Sequence, residues 1–361
     1  MRSRLLLTIS SVVLFSFTII YLPFIQTTCP PNGFTLRELA DLNELKIGAA
    51  VGVSYLRYES LYQATLKTQF NSVTDEWSMK WDAIHPAQDT YSFTDADYIV
   101  DFAMANQMAV RGHSLVWHEA LPDWLTNGAW TREELITILR EHIFTVMHHY
   151  QGKIYAWDVV NEALNNDGSM RDTIWLDVIG PEYIDLAFQW AHEADPHAVL
   201  FYNEFGVETP GAKQDALIKL LQGLLDRGIP IHGVGLQMHS SNTSPSAAQL
   251  AQSIERISVL GLQVQVTEMD VQIYDDTGTF EEKLQRQAEQ YRGALQTCLE
   301  KPACTGFTLW GFTDAHSWVF WLFGRSYPDE APLIFDPKYQ PKPAYFAMTQ
   351  VLGEKYCQSQ P

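Results

Sequence analysis

Short apolar stretches recur along the chain at regular distances, and a longer amphipathic segment separates each from the next. Eight of them read as strands: residues 47–51, 70–74, 109–117, 154–162, 199–205, 233–239, 263–271 and 306–314. They are apolar or β-branched and bounded by turn residues. Between them, residues 132–150, 181–194, 214–226 and 280–299 carry helical periodicity. Thr131 followed by Glu134 supplies the side-chain signal that opens the first of these helices.

Strand and helix alternating eight times predict a single α/β domain, a (β/α)8 barrel. A doubly wound open sheet is the competing architecture. It usually needs fewer strands, and no Gly-x-Gly-x-x-Gly follows the first strand. No repeat, low-complexity tract or linker interrupts residues 35–355, which read as one domain followed by a tail at 356–361. A chain of 361 residues is compatible with one barrel.

Ahead of that domain, Arg2 and Arg4 precede an apolar run from residue 5 to about 25, and a short linker follows at 27–34. The run exceeds the usual core of a signal peptide and approaches the ~20 residues that span a bilayer. Residues 1–26 therefore read as a signal peptide or as an uncleaved membrane anchor. In either case the catalytic part is expected to be extracellular. Export permits disulfides among the four cysteines. Cys298 and Cys304 flank a loop at Lys301-Pro302 and are expected to bridge. A second bridge between Cys29 and Cys357, at opposite ends of the folded region, stays open.

Composition narrows the function. The net charge is −19 and no basic stripe is present, which disfavours nucleic acid as a partner. Neither CxxC nor HExxH spacing occurs, so no metal or other cofactor is expected. The 11 tryptophans exceed ordinary core needs, and flat indoles that stack on sugar rings are one outlet for them.

In a barrel, the C-terminal strand ends form the active face. Polar residues collect there: His113 and Trp117 on the third strand, Asn161 and Glu162 on the fourth, Asn203 and Glu204 on the fifth. Gln237 and His239 end the sixth, Glu268 and Asp270 the seventh, and Trp310, Asp314, His316 and Trp318 follow the eighth. Glu162 and Glu268 each close an apolar strand, where burial without partners is costly. They lie on strands that face each other across the mouth. Cleavage of a glycosidic bond with retention needs one carboxylic acid and one carboxylate about 5–5.5 Å apart. Asn161 is placed to bond a sugar 2-OH, His113 to touch sugar and His239 to orient Glu268. Trp310 and Trp318 suit sugar stacking, while Asp158 and Asp270 read as supporting hydrogen-bond partners.

The chain resembles glycoside hydrolase family 10, the barrel xylanases, over roughly residues 35–355. The resemblance rests on Trp157-Asp158-Val159-Val160-Asn161-Glu162-Ala163 and Val266-Thr267-Glu268-Met269-Asp270-Val271. Gly112-His113-Ser114-Leu115-Val116-Trp117-His118, Gly235-Leu236-Gln237-Met238-His239, Trp310-Gly311 with Ser317-Trp318, and Pro341-Lys342-Pro343-Ala344-Tyr345 support it. It implies a retaining endo-β-1,4-xylanase with Glu162 as acid/base and Glu268 as nucleophile. It further implies that Glu76, Lys80, His113, Trp117, Asn161, Gln237, His239, Trp310 and Trp318 hold or orient the sugar. A Cys298–Cys304 bridge is also common in the family. A polysaccharide partner and a monomer are expected. Two segments depart from the pattern. The usual Pro-Glu-Asn-x-Met-Lys-Trp reads Asp75-Glu76-Trp77-Ser78-Met79-Lys80-Trp81, so Trp77 replaces a glycone-side amide. The usual Tyr-Asn-Asp-Tyr-Asn reads Tyr202-Asn203-Glu204-Phe205-Gly206. A related barrel glycosidase acting on β-glucan or short oligosaccharides is the alternative, and a non-catalytic polysaccharide-binding barrel is a third reading.

Overall fold

The computed structural model describes residues 33–241, 245–322 and 329–360. Eight parallel strands form the centre: β1 Lys46–Val51, β2 Ser72–Asp75, β3 Ala109–Val116, β4 Ala156–Asn161, β5 Val199–Glu204, β6 Gly233–Leu236, β7 Gln263–Gln272 and β8 Cys304–Leu309. Each pairs with its neighbours in sequence. The sheet closes where Lys46 meets Gly306 and Ala49 meets Leu309. This is the expected (β/α)8 barrel. Helices cover the outside, so the strands are buried on both faces, and β4 and β6 are buried along their whole length.

Predicted element boundaries differ from the observed ones by a few residues. The helix at Arg132–Tyr150 starts and stops where periodicity placed it, with Thr131 accepting from the Glu134 N–H and Glu134 returning the bond. The sixth strand is split. β6 stops at Leu236, Met238 takes φ 64°, and a short strand resumes at His239–Ser241 against the end of β7. The last helix, Pro343–Ser359, runs on past residue 355 into the segment read as a tail.

Cys298, in helix Phe280–Glu300, is bonded to Cys304 at the start of β8. Cys29 and the apolar segment 1–26 lie outside the described residues, as does most of the linker. Inside the barrel, Arg111 is 1% exposed and its guanidinium donates to both oxygens of Asp158 and to Gln265 Oε1 at 2.8 Å. A buried cation is tolerated because an anion and an amide oxygen accept hydrogen bonds from its N–H groups. Asp158 thus reaches upward to His113 Nδ1, at 3.0 Å, from a fixed base.

Candidate active site

The C-terminal ends of the strands open into a cleft of about 660 Å³. Glu76, Lys80, His113, Trp117, Asn161, Glu162, Gln237, His239, Glu268, Trp310 and Trp318 all line it, which are the residues named for catalysis and for holding the sugar. Asp314 and His316 are not among the lining residues: Asp314 pairs with Lys342 and His316 with Glu59. Trp77 lines the same cleft.

Glu268 sits within β7 and is 4% exposed. Its Oε1 accepts from Asn203 Nδ2 at 2.6 Å and its Oε2 meets His239 Nε2 at 3.1 Å. The short strand pairs His239 with Asp270, and His239 Nδ1 contacts Asp270 Oδ2 at 2.9 Å. Trp318 Nε1 donates to the same oxygen at 2.5 Å. Burial alone disfavours an imidazolium. Asp270 and Glu268 outweigh it and push the His239 pKa up to about 10. Burial likewise raises Glu268, but the His239 hydrogen bond and the His113 and His239 charges bring its pKa below the usual carboxylate value. Glu268 is therefore an anion held ready at neutral pH.

Glu162 lies one residue beyond β4 and is held differently. Its Oε1 accepts from Gln237 Nε2 at 2.9 Å and from Asn161 Nδ2 at 3.1 Å, and among the described residues it has no cationic partner within ion-pair distance. Both of these bonds are donated by neutral amides, which fix the orientation of the carboxyl. Asn203 ties the two halves together, because Nδ2 donates to Asn161 Oδ1 at 2.8 Å as well as to Glu268. Thr267 fixes the other end of that amide by donating to its oxygen at 2.7 Å. A Cβ on Gly235 would sit 2.1 Å from the Asn203 oxygen, so this approach requires glycine.

Lys80 is 6% exposed and stands among indoles, with Nζ 4.7 Å from the Trp77 ring centre, 4.7 Å from Trp117 and 5.9 Å from Trp310. Burial lowers its pKa, and Glu268, Glu76 and Glu162 oppose that. Trp318 is used as a hydrogen-bond donor as well as a wall, which the stacking role alone did not anticipate. Phe205, Gly206, Glu208, Thr209 and Pro245 also line the cleft. Phe205 and Glu208 were not singled out for the site from the sequence, and Asn203 was placed on the active face without a role. Asn203 carried a signal, as a polar residue at a strand tip. Glu208 lies beyond the strand, and only the fold shows that it accepts from the Met238 N–H at 2.9 Å.

A closed parallel barrel whose cleft sets Glu162 and Glu268 among amide donors and tryptophans has the make-up of a glycoside hydrolase. The family model described as "Glycosyl hydrolase family 10" matches residues 35–351, and the chain belongs to that family. It is 42% identical to endo-1,4-beta-xylanase B of Thermotoga neapolitana, over 89% of this chain and 92% of the relative. It is 45% identical to a beta-1,4-xylanase of Dictyoglomus thermophilum, over 84% and 87%. Among solved structures, xylanase 10B from Thermotoga petrophila RKU-1 in complex with xylobiose superposes with a TM-score of 0.86 at 41% identity, covering 90% of this chain and 98% of that one.

Proposed function

We propose that this protein is a retaining endo-β-1,4-xylanase. The observation that carries the reading is the unequal environment of two glutamates in one cleft. Glu268 is held as an anion by His239 and Asn203, whereas Glu162 is held only by amides. In the first step Glu268 attacks the anomeric carbon while Glu162 gives its proton to the leaving oxygen. In the second, Glu162 takes a proton from water, which displaces Glu268 with net retention. Xylan is favoured as the polymer because the matched relatives in Thermotoga and Dictyoglomus are named xylanases.

The test is product analysis on xylan, with NMR following the anomer formed first. A β product supports double displacement, and an α product rejects it. Glu268→Ala is expected to abolish turnover of every substrate, while Glu162→Ala spares the first step on aryl glycosides with good leaving groups. Running β-glucan in parallel tests the alternative polymer. We further propose that the enzyme works outside the cytoplasm as a monomer. Arg2, Arg4 and the apolar run after them support export, as does the Cys298–Cys304 bridge. Fractionation of cells expressing the full chain, N-terminal sequencing and light scattering test these points.

A further inference from the structure

We infer that Arg171 is the positioning residue for Glu162, acting through the backbone that carries it; this rests on Glu162 being the acid/base. Glu162 has φ 58°, in the left-handed region that glycine favours and a Glu enters only under constraint. The constraint is visible atom by atom. The three N–H groups that begin the turn are taken by β5: Glu162 N–H donates to the Asn203 carbonyl at 2.9 Å, Ala163 N–H to the Tyr202 hydroxyl at 3.1 Å, and Leu164 N–H to Glu204 Oε2 at 3.2 Å.

The three carbonyls are all taken by Arg171. Its Nε donates to Glu162 O at 3.0 Å, its backbone N–H to Ala163 O at 2.8 Å, and its Nη2 to Leu164 O at 3.1 Å. Arg171 pairs with no carboxylate among the described residues, so its planar fork is used on neutral carbonyls. Its guanidinium carbon lies 5.8 Å from the ring centre of Phe205, which lines the cleft. On the other side of the turn, Tyr202 donates to Glu204 Oε2 at 2.9 Å and Lys213 Nζ stands 2.9 Å from Glu204 Oε1. The turn is thus gripped from both sides. A lysine at 171 keeps the charge but has no second nitrogen to span the Glu162 and Leu164 carbonyls.

A displaced acid/base leaves a recognisable signature that a merely destabilised fold does not. Arg171→Lys and Tyr202→Phe are compared with wild type and with Glu162→Ala on xylo-oligosaccharides and on dinitrophenyl β-xylobioside. The dinitrophenolate departs without a proton. We expect Arg171→Lys to lower kcat/KM on xylo-oligosaccharides by about 10²-fold, the order that an ~1 Å misplacement costs. On the dinitrophenyl substrate the loss is expected to stay within roughly 3-fold, as no proton transfer is needed in that step. Hydrolysis of the glycosyl-enzyme becomes slow, and added azide restores turnover. Azide forms a bond to the anomeric carbon as the bond to the Glu268 oxygen breaks, giving the β-glycosyl azide without base assistance. Tyr202→Phe removes one hydroxyl and is expected to show the same pattern more weakly. Equal losses of Arg171→Lys on both substrates, with no azide effect, overturn the inference provided Glu162→Ala shows the pattern. If Glu162→Ala itself lacks it, the acid/base reading fails instead.

Discussion

Replacing His239 by alanine tests the origin of the Glu268 charge. In the native protein Glu268, 4% exposed, has two side-chain partners, Asn203 at 2.6 Å and His239 at 3.1 Å. His239 is in turn held by Asp270 at 2.9 Å and is cationic through neutral pH. A hydrogen bond to a charged partner is worth about 1.5–3 kcal/mol, and one pKa unit corresponds to about 1.4 kcal/mol. Loss of His239 therefore raises the Glu268 pKa by roughly one to two units. Only the carboxylate attacks, so activity is lost as pH falls through that pKa, and the acid limb of kcat/KM moves to higher pH by the same amount. The assay is kcat/KM against pH on an aryl β-xylobioside. A uniform drop at all pH values with the acid limb in place would refute the reasoning. The same variant has a stability counterpart. The His239 pKa is raised from 6.5 in the unfolded chain to about 10 in the folded one. Its stabilising contribution is complete below pH 6.5 and is lost as pH rises through 10, so the wild-type Tm declines over that window more than the variant's does.

Three other outcomes are expected. Trp77→Asn should raise kcat/KM on long xylo-oligosaccharides by several-fold and change short ones little, since Trp77 is 54% exposed in the cleft with Lys80 against its ring; an equal effect at every length would place Trp77 outside the glycone side. Cys298→Ser with Cys304→Ser should cost about 2 kcal/mol from closure of a short loop and lower Tm by a few degrees with kcat unchanged; a changed kcat would contradict a purely structural bridge. Asp314→Ala should destabilise the fold strongly, because it leaves Lys342, 6% exposed, without the carboxylate it meets at 2.8 Å; an unaltered Tm counts against that ion pair.

The strands were legible because burial on both faces leaves apolar runs that little else produces, and β4 and β7 end close to where those runs end. Glu162 was legible for the same reason, as a charge one residue past an apolar strand, whereas Glu268 stands inside β7, four residues before its end, and was legible as a charge within a buried run. The Pro341–Tyr345 segment was legible as a pattern, but its reason is visible only in three dimensions: Lys342 also donates to the Ala331 carbonyl at 2.6 Å and the Leu333 carbonyl at 2.5 Å, fastening the chain after β8. Arg171 escaped notice, and Asn203 was placed at the mouth without a role, because their partners are reached through space. Arg171 is an ordinary loop arginine in sequence, and nothing in its neighbours announces three carbonyls converging on it.

The difference between the two glutamates follows from where each sits on the scaffold. Glu268 belongs to a strand whose register slips between Val266 and Met269 against β8, and it is ionised by partners supplied across the sheet. A nucleophile needs one trajectory, so a rigid strand and a fixed charge suit it. Glu162 must serve two proton partners in turn, the leaving oxygen and then water. A fixed cation would hold it as an anion and disable the first of these steps. The structure instead gives it Gln237 and Asn161, whose neutral amides orient its carboxyl, and assigns positional control to backbone bonds behind it. Asn203 links the two designs by touching Glu268 and Asn161 through one nitrogen, so any variant that rotates that amide should disturb both steps together.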